Sequence, residues 1–255
     1  MTCLIYPIVL PADVMTVRYL EGVSRGFLIV KSGDGERIAD GDVEQFAKGD
    51  RVTSHLIFRF KDGSIDEGTT VFSQRGTFRL LTDHALQKGP AFKADMESSI
   101  DTTTGNVTIH YTEGGKEKIV NERMKLPPDI SNGMLFTLIK NIHPGVSKTT
   151  LSYLAVGPKP RIVKLEITSG GEELFVTGGS SHKAIHYVMK VDIGGTAGLI
   201  APLIGKQPHD TQLWVLDGHA PTFVGSEGPL YADGPVWRID LVSPVWSKRV
   251  APDSR

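Results

Sequence analysis

A chain of 255 residues with 40% hydrophobic content can bury a full core, as one large β domain or as two modest ones. Its formal net charge of −1 comes from 28 basic and 29 acidic residues spread along the chain, which argues against a nucleic-acid or anionic-membrane surface. The single cysteine, Cys3, excludes an intrachain disulfide.

The first 13 residues allow two readings. Cys3 to Leu10 is an apolar run, but no Lys or Arg precedes it and Pro7 interrupts it. It is either the remnant of a secretory apolar segment or an ordinary N-terminal extension with a first strand. Residues 14–247 read as a single β domain and 248–255 as a tail. No apolar run approaches the ~18–20 residues that span a bilayer as a helix.

From Val14 onwards, runs rich in β-branched and aromatic residues alternate with turn signals. Val14 to Leu20 and Gly26 to Lys31 are strand-like, and Asp34-Gly35 is a hairpin signal before Glu36 to Phe46. Arg51 to Phe60 places Val52, Leu56, Phe58 and Phe60 on one face, with His55 and Arg59 on the other. Asp62-Gly63 turns the chain towards Thr69 to Gln74, and Thr77 to Leu81 follows the break at Gly76. Asn106 to Tyr111 and Lys116 to Asn121 form a further hairpin.

The apolar residues Ile130, Met134, Leu135, Leu138, Ile139 and Ile142 then fall on one stripe at a 3.6-residue period. Pro127 and Pro128 suit a first turn, Asp129 suits the positive end of a helix dipole, and His143-Pro144-Gly145 is a stop. The spacing predicts a helix over about 128–142. After it, Thr149 to Val156, Arg161 to Thr168, His182 to Ile193, Thr211 to Leu216, Pro221 to Glu227 and Val236 to Val242 are strand-like, with a turn at Ser169-Gly-Gly171. About a dozen strands with short links predict an antiparallel meander, which curls or splits rather than staying flat. A helix with one apolar stripe then needs a concave apolar face to lie on.

The stretch 194–205, with four glycines and one proline, breaks the alternation. It reads either as a buried connection or short helix closing one end of the core, or as an apolar flap carrying Leu199 and Ile200 over a ligand cavity or a membrane-touching loop.

Motifs that carry chemistry fail on context. Gly22-Val-Ser-Arg-Gly26 has the G-x-S-x-G spacing, but that nucleophile elbow needs a helix after the serine, and Phe27 to Val30 are strand formers. His182 and His186 on a strand stand about 13 Å apart, too far to share a metal, and read as solvated positions. No glycine-rich loop opens a helix, so no nucleotide or other cofactor is implied. The best polar cluster is His55, Arg59, Arg75 and Arg79, which forms either a groove for an anion or lipid headgroup or an outer solvated face.

The C-terminal stretch Thr211-Gln-Leu-Trp-Val-Leu-Asp-Gly-His-Ala-Pro-Thr-Phe-Val-Gly-Ser-Glu-Gly-Pro-Leu230, continuing to Gly234-Pro-Val-Trp-Arg-Ile-Asp-Leu241, is the most distinctive. With Val17 to Gly22, Phe58 to Gly63, Thr70 to Arg75 and Leu126 to Asp129, it resembles uncharacterised exported bacterial proteins, domain-of-unknown-function families built on an open β-barrel or half-barrel. The resemblance implies an architecture similar to that of envelope lipid and lipoprotein carriers, which is a fold-level analogy.

The sequence therefore predicts a mainly β protein, an antiparallel meander curled into an open barrel or half-barrel with one central helix. The expected function is non-enzymatic: an envelope protein, periplasmic or secreted with cytoplasmic as the alternative, that binds an apolar or amphipathic, lipid-like small molecule. The expected contacts are His55, Arg59, Arg75, Arg79, Met134, Leu138, Leu199 and Ile200, with no catalytic residue, no metal and no nucleic-acid partner. The alternatives are a hydrolase on the same scaffold, using His55 or His186 with a carboxylate, and an interaction protein that pairs through its strand edges.

Overall fold

A computed structural model describes residues 14–143, 145–177, 180–192 and 208–242. Two antiparallel meanders share one sheet. The first runs through β1 (Ser24–Lys31), β2 (Arg37–Lys48), β3 (Arg51–Phe60), β4 (Ile65–Ser73), β5 (Arg79–Lys88), β6 (Met96–Asp101), β7 (Asn106–Glu113) and β8 (Lys116–Arg123). The second comprises β9 (Lys148–Ala155), β10 (Arg161–Thr177), β11 (Ser180–Asp192), β12 (Thr211–Leu216), β13 (Thr222–Gly228) and β14 (Trp237–Val242). Phe27 to Lys31 of β1 pairs with Arg238 to Val242 of β14, and this seam joins the meanders into 14 strands ordered β8 to β1, then β14 to β9. The sheet is open, with β8 and β9 as its edges.

Those two edges are consecutive in sequence, and the segment between them carries the helix α1 (Leu135–Asn141). The helix therefore belongs to the connection that crosses the gap a closed barrel would fill with a hydrogen-bonded seam. Its apolar stripe is buried: Met134, Leu138, Ile139 and Ile142 join one core with Phe58, Phe72, Phe78, Ile100 and Ile109 from the first meander, and Leu151, Ile167 and Leu213 from the second. Burying such a side chain contributes roughly 1.5–3 kcal/mol, so the helix is held by packing rather than by propensity. Phe136 also stacks on Phe223 of β13, ring centroids 4.0 Å apart.

The helix is shorter than its apolar stripe predicts. Residues before Leu135 are turns, and Asp129 is not at a helix start. Its Oδ2 accepts the Ser152 N–H of the edge strand β9 at 2.8 Å. Ser131 donates its N–H and its hydroxyl to Ser152 O, while Asn132 accepts the Leu154 N–H and donates to Leu154 O. Short polar side chains prefer such local backbone bonds to a helix interior, and here they satisfy an edge that lacks a neighbouring strand. Gly133, at φ +67°, then turns the chain into the helix.

Other expectations shift as well. Val14 to Leu20 is not a strand: a single bridge, Thr16 to Thr77, ties it to the β4–β5 turn. Of the run expected over Thr77 to Leu81, only Arg79 to Leu81 belongs to a strand, the longer β5, and β6 is an additional strand. The turn expected at Ser169-Gly-Gly171 is an irregularity within β10, between Ser169 and Gly171. The terminal segments 1–13 and 248–255, and the 194–205 stretch, lie outside the described residues.

Candidate functional site

Strand alternation assigns the sheet's two faces. On β3, Val52, Phe58 and Phe60 point into the core, so His55 and Arg59 point away from it. His55 Nε2 is 2.7 Å from Glu67 Oε1, and Arg59 Nη1 donates to Asp42 Oδ2 at 3.1 Å. Arg75 lies in the exposed β4–β5 turn near Asp50, and Arg79 opens β5 as an exposed residue. Met134 and Leu138 are core residues, each 2% exposed. The polar and apolar candidates therefore sit on opposite faces of the sheet. Leu199 and Ile200 lie outside the described residues.

On the outer face a second pair, His84 Nε2 and Glu97 Oε1 at 2.8 Å, repeats the His55–Glu67 arrangement. Among the described residues, no serine, threonine or cysteine side chain is bonded to either ring, so neither pair forms a nucleophile–base unit. His186 is not solvated as its strand position suggests. Its ring stacks on Trp214, and its nitrogens meet Gln212 Oε1 at 2.7 Å and Glu173 Oε1 at 3.1 Å. The described residues contain no grouping of three or more His, Cys, Asp or Glu able to hold a metal ion.

The inner face carries what the sequence reading missed. Three cross-strand rows run side by side through β2 to β6. One passes through Gly41, Phe58, Asp66, Gln87 and Met96. The middle one passes through Val43, Leu56, Gly68, Ala85 and Ser98, and the third through Gln45, Ser54, Thr70, Asp83 and Ile100. In the outer two rows the inner face is filled. A Cβ on Gly41 would strike the Phe58 ring at 2.5 Å, and Gly133 presses against Thr70 and Asp83 so closely that a Cβ has no room.

The middle row is different. A Cβ on Gly68 would meet nothing closer than His84 O at 3.8 Å, and Val43, Leu56 and Ala85 around it stay half-buried. Two small residues, Gly68 and Ala85, thus floor a shallow hollow flanked by Val43 and Leu56, with a carboxyl group to each side.

Both carboxyl groups are perturbed by their surroundings. Burial pushes Asp66 up to about 6, against the opposing pull of the Gln87 amide, which donates to Asp66 Oδ2 at 3.3 Å. Burial also raises Asp83, opposed by the Thr70 hydroxyl, which donates to Oδ1 at 2.7 Å, and by the positive charge of His84. The two aspartates stand about 13 Å apart along the strands, so they are two separate groups and not a shared-proton pair. Tyr153 of β9 feels both. Its burial, reinforced by the negative charges of Asp83 and Asp66, pushes the phenol up to about 12, so it remains an O–H donor.

This is an apolar recess with a few convergent polar groups whose proton affinities are displaced, the usual form of a small-molecule site. A signal for it was present in the alternation. Reading the β4 strand from Ile65 rather than Thr69 puts Asp66, Gly68, Thr70 and Phe72 on one face. On the outer face, a separate cleft is lined by small polar side chains including Thr82, Ser99, Asn106 and Thr108.

The fold defines a class, an open antiparallel β half-barrel whose connecting segment supplies a helix to the core. Among solved structures, the chain is similar to a β-barrel-like protein of the domain of unknown function DUF1849 from Brucella abortus, at 11% identity and a TM-score of 0.49, covering 92% of this chain and 100% of that one. It is also similar to the hypothetical lipoprotein YmcC of Escherichia coli K12, at 10% identity and a TM-score of 0.36, covering 87% of this chain and 85% of that one. No family model and no curated protein matches the sequence. No helix among the described residues is long and apolar enough to cross a membrane.

Proposed function

We propose that the protein is a non-enzymatic binding protein for an apolar or amphipathic small molecule, taken up on the concave face over Gly68. The observation that carries this reading is the unfilled space above Gly68, beside half-buried Val43, Leu56 and Ala85. Interiors are ordinarily packed to crystal density, so a hollow in an apolar face marks a position kept for another molecule. Displaced carboxyl groups at its margin give that molecule polar anchors. The buried stripe of Met134 and Leu138 belongs to the same continuous core, so binding adds to the helix packing rather than replacing it. The apolar run from Cys3 to Leu10 supports an envelope location for this activity, which cell fractionation of the full chain tests.

Native mass spectrometry of gently purified protein tests the binding reading. The expected result is a lipid-sized mass adduct on the wild type that Gly68→Trp lacks, since the indole occupies the hollow and Gly68 has no positive φ to strain. A wild type without an adduct, and without measurable affinity for any decyl-chain compound, overturns it.

A further inference from the structure

Several buried carboxylates elsewhere in the molecule have a cation, although Asp83 is held by the Thr70 hydroxyl instead. Glu21, 8% exposed, meets Lys140 of the helix at 2.8 Å, and Asp129 has Lys164 at 3.8 Å. Asp240 is held by Lys31 and by Arg238, both at 2.8 Å. Asp66 breaks this pattern. It sits on the inner face beside the hollow, and no Lys, Arg or His among the described residues pairs with it. Its recorded partner is one long bond from Gln87 Nε2, an amide that also donates to Leu230 O at 3.1 Å.

A half-buried carboxylate without a cation carries a desolvation cost, which a proton or a bound positive charge removes. Among the described residues Asp66 belongs to no grouping of three or more His, Cys, Asp or Glu that could hold a metal ion. Apart from Gln87, its cross-strand partner on β5, the neighbours of Asp66 are apolar: Phe58 lies across the ladder on β3, and Leu56, Ala85 and Met96 surround the hollow. A cation that fits must therefore carry its own apolar body.

We propose that the ligand is an organic cation with an apolar chain, whose basic nitrogen pairs with Asp66 while its chain lies over Gly68 and Ala85. This rests on the binding reading above and names the chemical class that the site takes. The groups that act on Asp66 electrostatically fit this assignment. Gln87, which bonds Asp66, is uncharged, and Tyr153 on β9, which feels both Asp66 and Asp83, is a neutral donor. At neutral pH, Asp66 thus brings to the hollow a negative charge with no cation beside it. An anionic ligand would meet uncompensated carboxylates there.

Three ligands of equal chain length separate the possibilities: decylamine, decanol and decanoate, each titrated below its micelle concentration by calorimetry into the full-length protein at pH 7.5. The expected order is amine tightest, by about tenfold over the alcohol, with decanoate weakest. Asp66→Asn, which keeps the shape and the Gln87 contact, is expected to bring amine and alcohol to equal affinity and to leave the alcohol unchanged. Lowering the pH to 5 is expected to weaken amine binding about tenfold in the wild type and not in Asp66→Asn, because the carboxyl becomes neutral. If alcohol or decanoate binds the wild type as well as the amine, or if Asp66→Asn keeps the amine preference, the cation assignment is wrong while binding stands. If none of the three binds, the binding reading itself fails.

Discussion

Asp66 shows how one residue couples the fold to pH. Its carboxyl, pushed up to about 6 by burial, holds a proton more tightly in the folded chain than in the unfolded one, where the value is near 3.8. Between those values the native state binds the extra proton, so stability contributed by this group is fully present below about pH 4 and is lost as pH rises through 6. The shift corresponds to about 2–3 kcal/mol at neutral pH, an unfavourable term that a neutral side chain avoids. Asp66→Asn is therefore expected to stabilise the protein by that order at pH 8 and by almost nothing at pH 4. Urea unfolding of both proteins across this range checks it. A stability difference that is flat with pH rules out burial as the origin of the displaced carboxyl. Retaining such a group at a cost to stability is what a binding position requires.

At the scale of elements, the seven-residue helix depends on what ties its ends. Asn141 sits in its last turn, donating to Thr137 O and accepting the backbone N–H groups of Arg18 at 2.9 Å and Tyr19 at 2.8 Å. The Arg18 guanidinium meanwhile donates to Ile142 O, at the negative end of the helix. The N-terminal strap and the helix are thus one unit. Asn141→Ala leaves two strap donors without this acceptor and is expected to cost about 2–3 kcal/mol, whereas Asn141→Asp keeps the acceptor and costs less. Amide exchange should show the loss concentrated in residues 135–141 and 15–19. Uniform loss across the sheet contradicts this local account.

The same elements show what was legible in the sequence. Alternation and Asp-Gly turns define β3, β7, β8 and most of the second meander, because sheet periodicity is local. The helix stripe was legible for the same reason, but its start was not. Asp129, Ser131 and Asn132 have a better use as partners for the β9 edge, which is more than 20 residues away in sequence. The site fared worst. His55 and Arg59 are chemically conspicuous yet lie on the outer face, while Gly68 and Ala85 matter for the volume they leave empty. Absence of a side chain has no sequence signature until the neighbouring strands are in register.

For the whole molecule, an open sheet must manage two edges, and the two are managed differently. β9 has Asp129 to Asn132 laid along it, bonding the backbone at Ser152 and Leu154. Among the described residues, β8 has no such cover. Its sequence Lys116-Glu-Lys-Ile-Val-Asn-Glu-Arg123 is exposed throughout, apart from half-buried Val120, and it carries three basic and two acidic residues along the edge ladder. Charged side chains make a second strand costly to add, because pairing would desolvate them. On its outer face, Ile119 is 59% exposed between Glu117 and Asn121. Glu117→Val with Asn121→Val converts that face into three consecutive apolar positions on an unpaired edge. The double variant is expected to melt within about 1 kcal/mol of the wild type in dilute solution, since these surface positions make no core contact. It is nevertheless expected to associate in a concentration-dependent way, visible as a mass increase by light scattering, while equivalent substitutions at Ser99 and Thr108 in the interior of the sheet leave the mass unchanged. If the β8 double variant keeps the wild-type mass at every concentration, its charges are not what keeps this edge unpaired, and the curvature of the half-barrel must be doing so instead.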